Sequence, residues 1–137
     1  RIDWSVVLNE MTVLGNFSPP LLHQLDLHFG GLRTSEVIIT DERIAHIQSH
    51  HPQDYSLFEQ YGREAIFSPD FLVQDEKNFG TVFAIKRLPE TNLNVVVRLV
   101  LESDDPDYKN SVMTFYRIRD RNLKKLFEKN PLLYTSE

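Results

Sequence analysis

Two long runs rich in β-branched residues constrain the fold of this chain more than any other feature. They occupy 81–88 (TVFAIKRL) and 93–102 (LNVVVRLVLE), and the sequence between them, Pro-Glu-Thr-Asn, has the composition of a turn. Such a pair predicts an antiparallel hairpin. Shorter strand-like runs at 71–74 and 111–118 flank it, so we predict a four-stranded antiparallel β-meander.

Helical patterns precede and follow this meander. Thr40 offers an N-cap to a short helix that Pro52 brings to an end. A second helix is predicted over 53–66, and Gly62 is a position where it could end early. A C-terminal helix is predicted over 122–129, from its spacing of apolar residues.

Residues 1–36 have no clean period, because a Pro-Pro and a Gly-Gly pair interrupt their apolar clusters. We predict one or two short helices that pack on the domain, or a lead-in from an upstream module. The expected class is therefore α+β, with N-terminal short helices, the meander and a C-terminal helix, and with 37–137 as the main domain. Because the chain begins at Arg1 and not at Met, we expect a fragment, a processed product or a C-terminal module.

Length and composition narrow the classes of protein. A chain of 137 residues with 41% hydrophobic content suffices for one core. The absence of cysteine excludes disulfides, thiolate metal sites and thiol nucleophiles. No apolar run approaches the roughly 18 to 20 residues that a membrane span needs, so we expect a soluble protein that acts in the cytoplasm of a producer or target cell, without a membrane partner.

Charge is distributed unevenly along the chain. The net charge is −5, which argues against binding of phosphate by bulk electrostatics. Residues 109–129 contain seven basic and two acidic residues, a local charge of +5 that leaves −10 for the remainder. This segment is the best candidate for an anion-binding surface, although a solvated helix face explains its charges about as well.

Three of the five histidines fall in one short stretch, at His46, His50 and His51. His46 and His50 are four residues apart, so on a helix they share a face and could bind zinc. No glutamate completes an HExxH pattern and no third ligand is evident, so we expect no metal and no cofactor. Acid–base catalysis is the alternative, because imidazole titrates near neutral pH. In a purely structural interpretation, His51 forms a His-Pro corner and His46 lies on a packed surface.

Arg98 is the only charged residue in the apolar part of the long strand. A buried guanidinium without a counter-charge is costly, so Arg98 should form an ion pair or face a cleft that admits a phosphate. On the next strand Thr114 and Tyr116 alternate onto one side, whereas Ser111 falls on the other side or at the strand's start. These residues could equally serve sheet packing.

A pair of histidines, an arginine and hydroxyl groups suit cleavage of RNA by its own 2′-OH. One imidazole takes the 2′-OH proton, a second group protonates the leaving 5′ oxygen, and the guanidinium stabilises the phosphorane with hydroxyl donors. RNA is the expected substrate because DNA lacks this nucleophile. The candidate catalytic residues are His46, His51, Arg98, Ser111, Thr114 and Tyr116.

Four short motifs carry a resemblance to a known superfamily. They are DERIAHIQSHHP at 41–52, NVVVRLV at 94–100, KNSVMTFY at 109–116 and LLY at 132–134. Their order resembles the phage and polymorphic-toxin nucleases of the barnase/EndoU/colicin/RelE-like superfamily. The family's R-x-x-H-I-x-x-x-H-P, V-x-R and K-N-S-x-x-T-x-Y patterns fall on Arg43, His46, His51, Arg98, Lys109, Ser111, Thr114 and Tyr116. His50 is the extra neighbour and leaves open which of the last two histidines is catalytic.

This resemblance implies a helix-plus-four-stranded-sheet fold with an RNA-cleaving cleft, found in toxin warheads and mobile elements. The acidic net charge fits a structured RNA such as tRNA better than non-specific RNA, and an immunity or antitoxin partner is expected. The residues assigned to substrate binding are Arg43, His50, Lys109, Arg117 and Arg119. Two alternatives are a non-catalytic module that binds RNA or protein on the same fold, and a metal-dependent hydrolase that uses His46 and His50.

Overall fold

The computed structural model describes residues 10–136, which form four helices and seven strands of one mixed sheet. The strands are β1 (Met11–Asn16), β2 (Glu36–Thr40), β3 (Phe71–Gln74), β4 (Thr81–Arg87), β5 (Asn92–Arg98), β6 (Asn110–Ile118) and β7 (Leu132–Thr135). The helices are α1 (Pro19–Phe29), α2 (Asp41–His50), α3 (Tyr55–Phe67) and α4 (Asp120–Lys129). The part of the expected N-terminal helices that falls on residues 1–9 lies outside the described residues.

The predicted meander is present in the centre of the sheet. Strands β3, β4, β5 and β6 are consecutive neighbours, and each pair is antiparallel. The turn between β4 and β5 closes with a hydrogen bond from the Leu88 N–H to the Thr91 carbonyl, 2.8 Å long. The predicted α+β class is therefore confirmed.

The sheet is larger than the four strands predicted. Its order is β1-β2-β6-β5-β4-β3-β7, and the β2–β6 pair is parallel. The prediction missed β1 because Gly15 interrupts its pattern: β1 changes register between Val13 and Gly15, and a Cβ at Gly15 would lie 2.9 Å from the Phe67 ring. It missed β7 because four residues are too few to show alternation. Residues 10–35 thus form a strand and a helix instead of short helices alone.

The two faces of the sheet differ in what covers them. The face that we call the inner face carries the main core, to which β5 contributes Leu93, Val95 and Val97. Helix α1 adds Leu21 and Leu25 to this core. On the other side, the outer face, α4 covers one end with a smaller apolar cluster of Val73, Ile85, Ile118 and Leu123. The rest of the outer face is left uncovered by these helices.

Local signals explain where the helices begin and end. The Thr40 hydroxyl accepts a hydrogen bond from the Arg43 N–H at 3.1 Å, as the N-cap prediction required. The helix ends at His50, because Pro52 disfavours helical geometry at the residue before it. Helix α3 continues through Gly62, where Phe58 packs so closely that a Cβ would meet its ring at 3.0 Å. Among residues 10–136, no helix is long and apolar enough to cross a membrane.

Candidate functional site on the outer face of the sheet

Four of the predicted site residues share the outer face. In the β5–β6 register Arg98 lies opposite Ser111, and Val96 lies opposite Thr114. Tyr116 lies opposite Asn94. Directly opposed residues of an antiparallel pair project from the same face, so these side chains form one surface.

A β-bulge brings Ser111 onto this face. The register shifts between Val96 and Val97, which pair with Thr114 and Val112, so Met113 is the extra residue of β6. Simple alternation places Ser111 and Thr114 on opposite sides, as the sequence suggested. The bulge adds one residue between them and reverses that relation.

Arg98 and Ser111 line a cleft of about 630 Å³, which we call the Arg98 cleft. Lys109 lies on its wall, and Thr40 enters from the end of β2. The remaining lining residues are Met11, Ile38, Leu99, Val100, Asp104, Asp107 and Tyr108. The cleft forms where β2 joins β6 in parallel, so it also depends on β1 and β2, which lie outside the meander.

Arg98 is the cation of this cleft that has no ion-pair partner among residues 10–136. It is exposed, and no carboxylate of residues 10–136 lies within 4.0 Å of its guanidinium. The Lys109 ammonium, in contrast, is 4.0 Å from Glu36 Oε1, although both side chains are partly exposed. Because exposed ion pairs contribute little energy, Lys109 can also turn to a bound anion. Asp104 and Asp107 limit the positive charge of the cleft.

Tyr116 keeps its phenolic proton more firmly than an ordinary tyrosine. It packs against the small cluster beneath α4, and this burial raises the pKa of its hydroxyl. The nearby Asn94 amide moderates the rise, and the charge of Asp75 adds to it. The Asn94 amide approaches the hydroxyl without reaching hydrogen-bond geometry. At neutral pH Tyr116 is therefore a proton donor.

The histidines lie on the other side of the sheet. The His51 ring lies 5.3 Å from the Phe115 ring, and Phe115 is a fully buried part of the main core on the inner face. His46 and His50 stack on exposed positions of α2, with ring centroids 4.0 Å apart. The structure therefore separates His46, His50 and His51 from Arg98 by the thickness of the sheet.

The His46 ring is electrostatically perturbed. Desolvation lowers its pKa, which is consistent with the loss of water where the His50 ring covers it, although the rest of the ring is exposed. The charges of His50, Arg43 and His51 lower the pKa further, while Glu42 opposes them. The structure groups Arg43 with these histidines and not with Arg98.

The two remaining basic candidates also lie apart from the Arg98 cleft. The Arg117 guanidinium is 3.5 Å from Asp54 Oδ1, ahead of α3. Arg119 is exposed at the start of α4. Among residues 10–136, no group of three or more His, Cys, Asp or Glu side chains could hold a metal ion.

Sequence reasoning missed Asn94, Thr40, Asp104, Asp107 and Tyr108. The sequence does contain a signal for Asn94. It lies four positions before Arg98 on an apolar strand, so both side chains project from the same face, and it is the next polar residue toward the turn. The three loop residues gave no signal, because their position depends on how the β5–β6 loop folds back.

Comparisons with protein-family models, with curated proteins and with solved structures found no match to this chain. The resemblance to the barnase/EndoU/colicin/RelE-like superfamily therefore stays a prediction.

Proposed function

We propose that this protein binds RNA through the outer face of its sheet, with Arg98 holding a phosphate in the Arg98 cleft. The observation that carries the proposal is the unpaired, exposed guanidinium of Arg98 beside the Ser111 hydroxyl. A guanidinium can hold two phosphate oxygens at once, and a hydroxyl adds a third donor. The polar residues continue along β6 through Thr114 to Tyr116, which provides a path for a strand of nucleic acid.

Binding takes precedence over cleavage in this proposal because of where the titratable groups lie. Transesterification needs a base and an acid at the same phosphate. His46 and His51, the expected pair, lie across the sheet from Arg98.

Metal-independent RNA cleavage is a second candidate, favoured by the hydroxyl and carboxyl groups that line the Arg98 cleft. The Tyr108 hydroxyl lines this cleft together with Arg98, so it could give a proton to the leaving 5′ oxygen of a phosphate held there. Asp104 and Asp107 are carboxylates in the cleft that could take the 2′-OH proton. The ribonuclease type expected from the sequence is retained in this form, with different residues in the acid and base roles.

Titration of short single-stranded oligoribonucleotides at several salt concentrations tests the binding proposal. We expect Arg98→Ala to weaken binding about tenfold or more, because a charge-assisted hydrogen bond is lost. The salt dependence should also fall, by about 0.7 in the slope of log K against log salt, as for one phosphate contact on a single strand. Arg63→Ala is the matched control, because Arg63 is an exposed arginine on α3, which packs on the inner face. Equal losses in both variants would refute a specific role for Arg98.

Incubation of RNA with the protein in EDTA tests cleavage. The second candidate predicts products with 2′,3′-cyclic phosphate ends, lost in Arg98→Ala and Tyr108→Phe and retained in a His46→Ala, His51→Ala double variant. Loss of cleavage in the histidine double variant, with cleavage retained in the other two variants, would assign the catalytic roles to the histidines. RNA that is bound but left intact would leave binding as the function of the outer face.

A further inference from the structure

Asn94 is buried in an unusual way. Its side chain is 0% exposed, and both amide atoms, Nδ2 and Oδ1, have no hydrogen-bond partner among residues 10–136. The other two buried asparagines both form side-chain hydrogen bonds. Asn92 donates to the Ile118 carbonyl and to Asp120 Oδ1, and Asn110 bonds three backbone groups. A buried amide without partners lowers stability, so folding alone gives no reason for asparagine at position 94.

Asn94 lies on the same surface as Arg98. Both residues belong to β5 and project from the outer face, four positions apart, which corresponds to about 14 Å of strand. Asn94 therefore lies beyond the Arg98 cleft, toward α4. A short oligonucleotide with one phosphate at Arg98 can extend along the strand to this position.

Tyr116 is the β6 neighbour of Asn94. It lies directly opposite on β6, and its hydroxyl approaches the Asn94 amide. Tyr116 is only half-buried, at the border of the cluster beneath α4. Because Asn94 is fully buried, its contact with a base requires this side chain to rotate away, and the main core on the inner face is not part of that movement. The displaced ring also offers a flat surface on which a base can stack.

An amide can pair with the Watson–Crick edge of either purine, so it discriminates between them only on the edge that carries N7. An asparagine side chain presents a donor beside an acceptor, which complements N7 and the N6 amino group of adenine. Guanine presents two acceptors, O6 and N7, on the same edge, so it leaves the Asn94 oxygen facing another oxygen. In single-stranded RNA this edge is free to be read while the base stacks on an aromatic ring.

We infer that Asn94 is a specificity-determining residue that reads the N7 edge of a purine and so selects adenine over guanine in single-stranded RNA on the outer face. This inference rests on the RNA binding proposed for Arg98. Asn94 acts on base selection, whereas Arg98 acts on the phosphate, so the two residues have separable effects.

The test compares two oligoribonucleotides that differ only in one central purine, adenine or guanine, in an otherwise all-uracil strand. We expect the wild-type chain to bind the adenine strand about fivefold more tightly or better. Asn94→Leu should bring the two affinities together, while Arg98→Ala should weaken both and keep their ratio. Retention of the wild-type ratio in Asn94→Leu would overturn the inference.

Thermal unfolding of the same variants separates base selection from a structural role. Asn94→Leu should unfold at the wild-type temperature or above, because it removes unsatisfied polar atoms. The matched control Asn110→Leu should unfold at a lower temperature, because it leaves three backbone groups without partners. A marked fall in the unfolding temperature of Asn94→Leu would show that the amide serves folding and would count against the inference. If Asn94→Leu does not fold, the ratio of the adenine-strand affinity to the guanine-strand affinity is measured with Asn94→Ala in its place.

Two further outcomes are distinct from each other. Equal binding of both strands by the wild-type chain, with loss of affinity in Arg98→Ala, would refute the role of Asn94 and leave the RNA-binding proposal standing. Absence of binding to either strand would refute both.

Discussion

At the scale of single residues, identical side chains differ in role because their surroundings differ. Asn94 and Asn110 are both fully buried, yet Asn110 bonds the Val100 N–H and the carbonyls of Thr34 and Glu36, whereas Asn94 bonds nothing. Asn110 thereby ties the β5–β6 loop to the start of β2. This contrast distinguishes an amide that holds the fold together from one whose hydrogen-bonding groups the fold does not use.

The His46 ring provides a prediction at the same scale. Its pKa should lie below the ordinary value of 6.5, and His50→Ala should raise it by removing both the covering ring and a nearby positive charge. Since the folded-state pKa is depressed, the stability that His46 contributes is present above pH 6.5 and is lost as the pH falls through the folded pKa. Imidazole signals in a proton NMR titration measure the shift. An unchanged His46 titration in His50→Ala would contradict the coupling.

At the scale of elements, helix α1 shows that two leucines of the same helix can differ completely in exposure. Leu25 and Leu27 lie two positions apart in α1, where Leu25 is 0% exposed and Leu27 is 65% exposed. Helical geometry turns the first toward the core and the second toward solvent.

We expect Leu25→Ala to lower the free energy of unfolding by about 2 to 5 kcal/mol, through lost burial and the cavity that it leaves. Leu27→Ala, the matched control, should change it by about 0.5 kcal/mol or less. Urea denaturation followed by circular dichroism measures both values. A small effect of Leu25→Ala would show that α1 does not depend on this contact with the main core.

The bulge in β6 has the largest effect of any single local feature on the site. If Met113 were paired regularly with β5 and not bulged, Thr114 and Tyr116 would project from the opposite face to Ser111. Alternation read from the sequence cannot locate such a bulge, because it depends on pairing with β5. The candidate site was therefore only partly visible from residue spacing.

At the scale of the whole molecule, the first part of the chain belongs to the same body as the meander. Strand β1 pairs with β2, and Phe17, Leu21, Leu25 and Phe29 belong to the main core. Strand β2 in turn pairs with β6 and forms one wall of the Arg98 cleft. The cleft and the core thus both need residues on each side of position 36.

A fragment of residues 37–137 tests this dependence. We expect it to lose cooperative unfolding, because removal of β1 and α1 exposes the apolar surface that they cover. Dispersion of amide signals in a proton–nitrogen NMR spectrum, compared with the full chain, is the measurement. A well-dispersed spectrum and a sharp thermal transition for the fragment would instead support 37–137 as a self-sufficient domain.

The sequence alone determined the features that depend on neighbouring residues. The runs at 81–88 and 93–102 produced a hairpin because β-branched alternation and turn residues are local signals. Thr40 capped its helix for the same reason, through a bond within the first turn. The four-stranded meander followed from these local preferences and short connections.

The tertiary structure alone decided which residues meet. Sequence order placed a histidine helix and an arginine strand in one hypothetical site, but the sheet lies between them, since His51 packs on Phe115 and Arg98 projects from the other face. The parallel pairing of β2 with β6 and the bulge at Met113 are long-range contacts that no local pattern encodes. Long-range pairing, and not residue type, therefore placed Ser111, Thr114 and Tyr116 on the surface that carries Arg98 and Asn94.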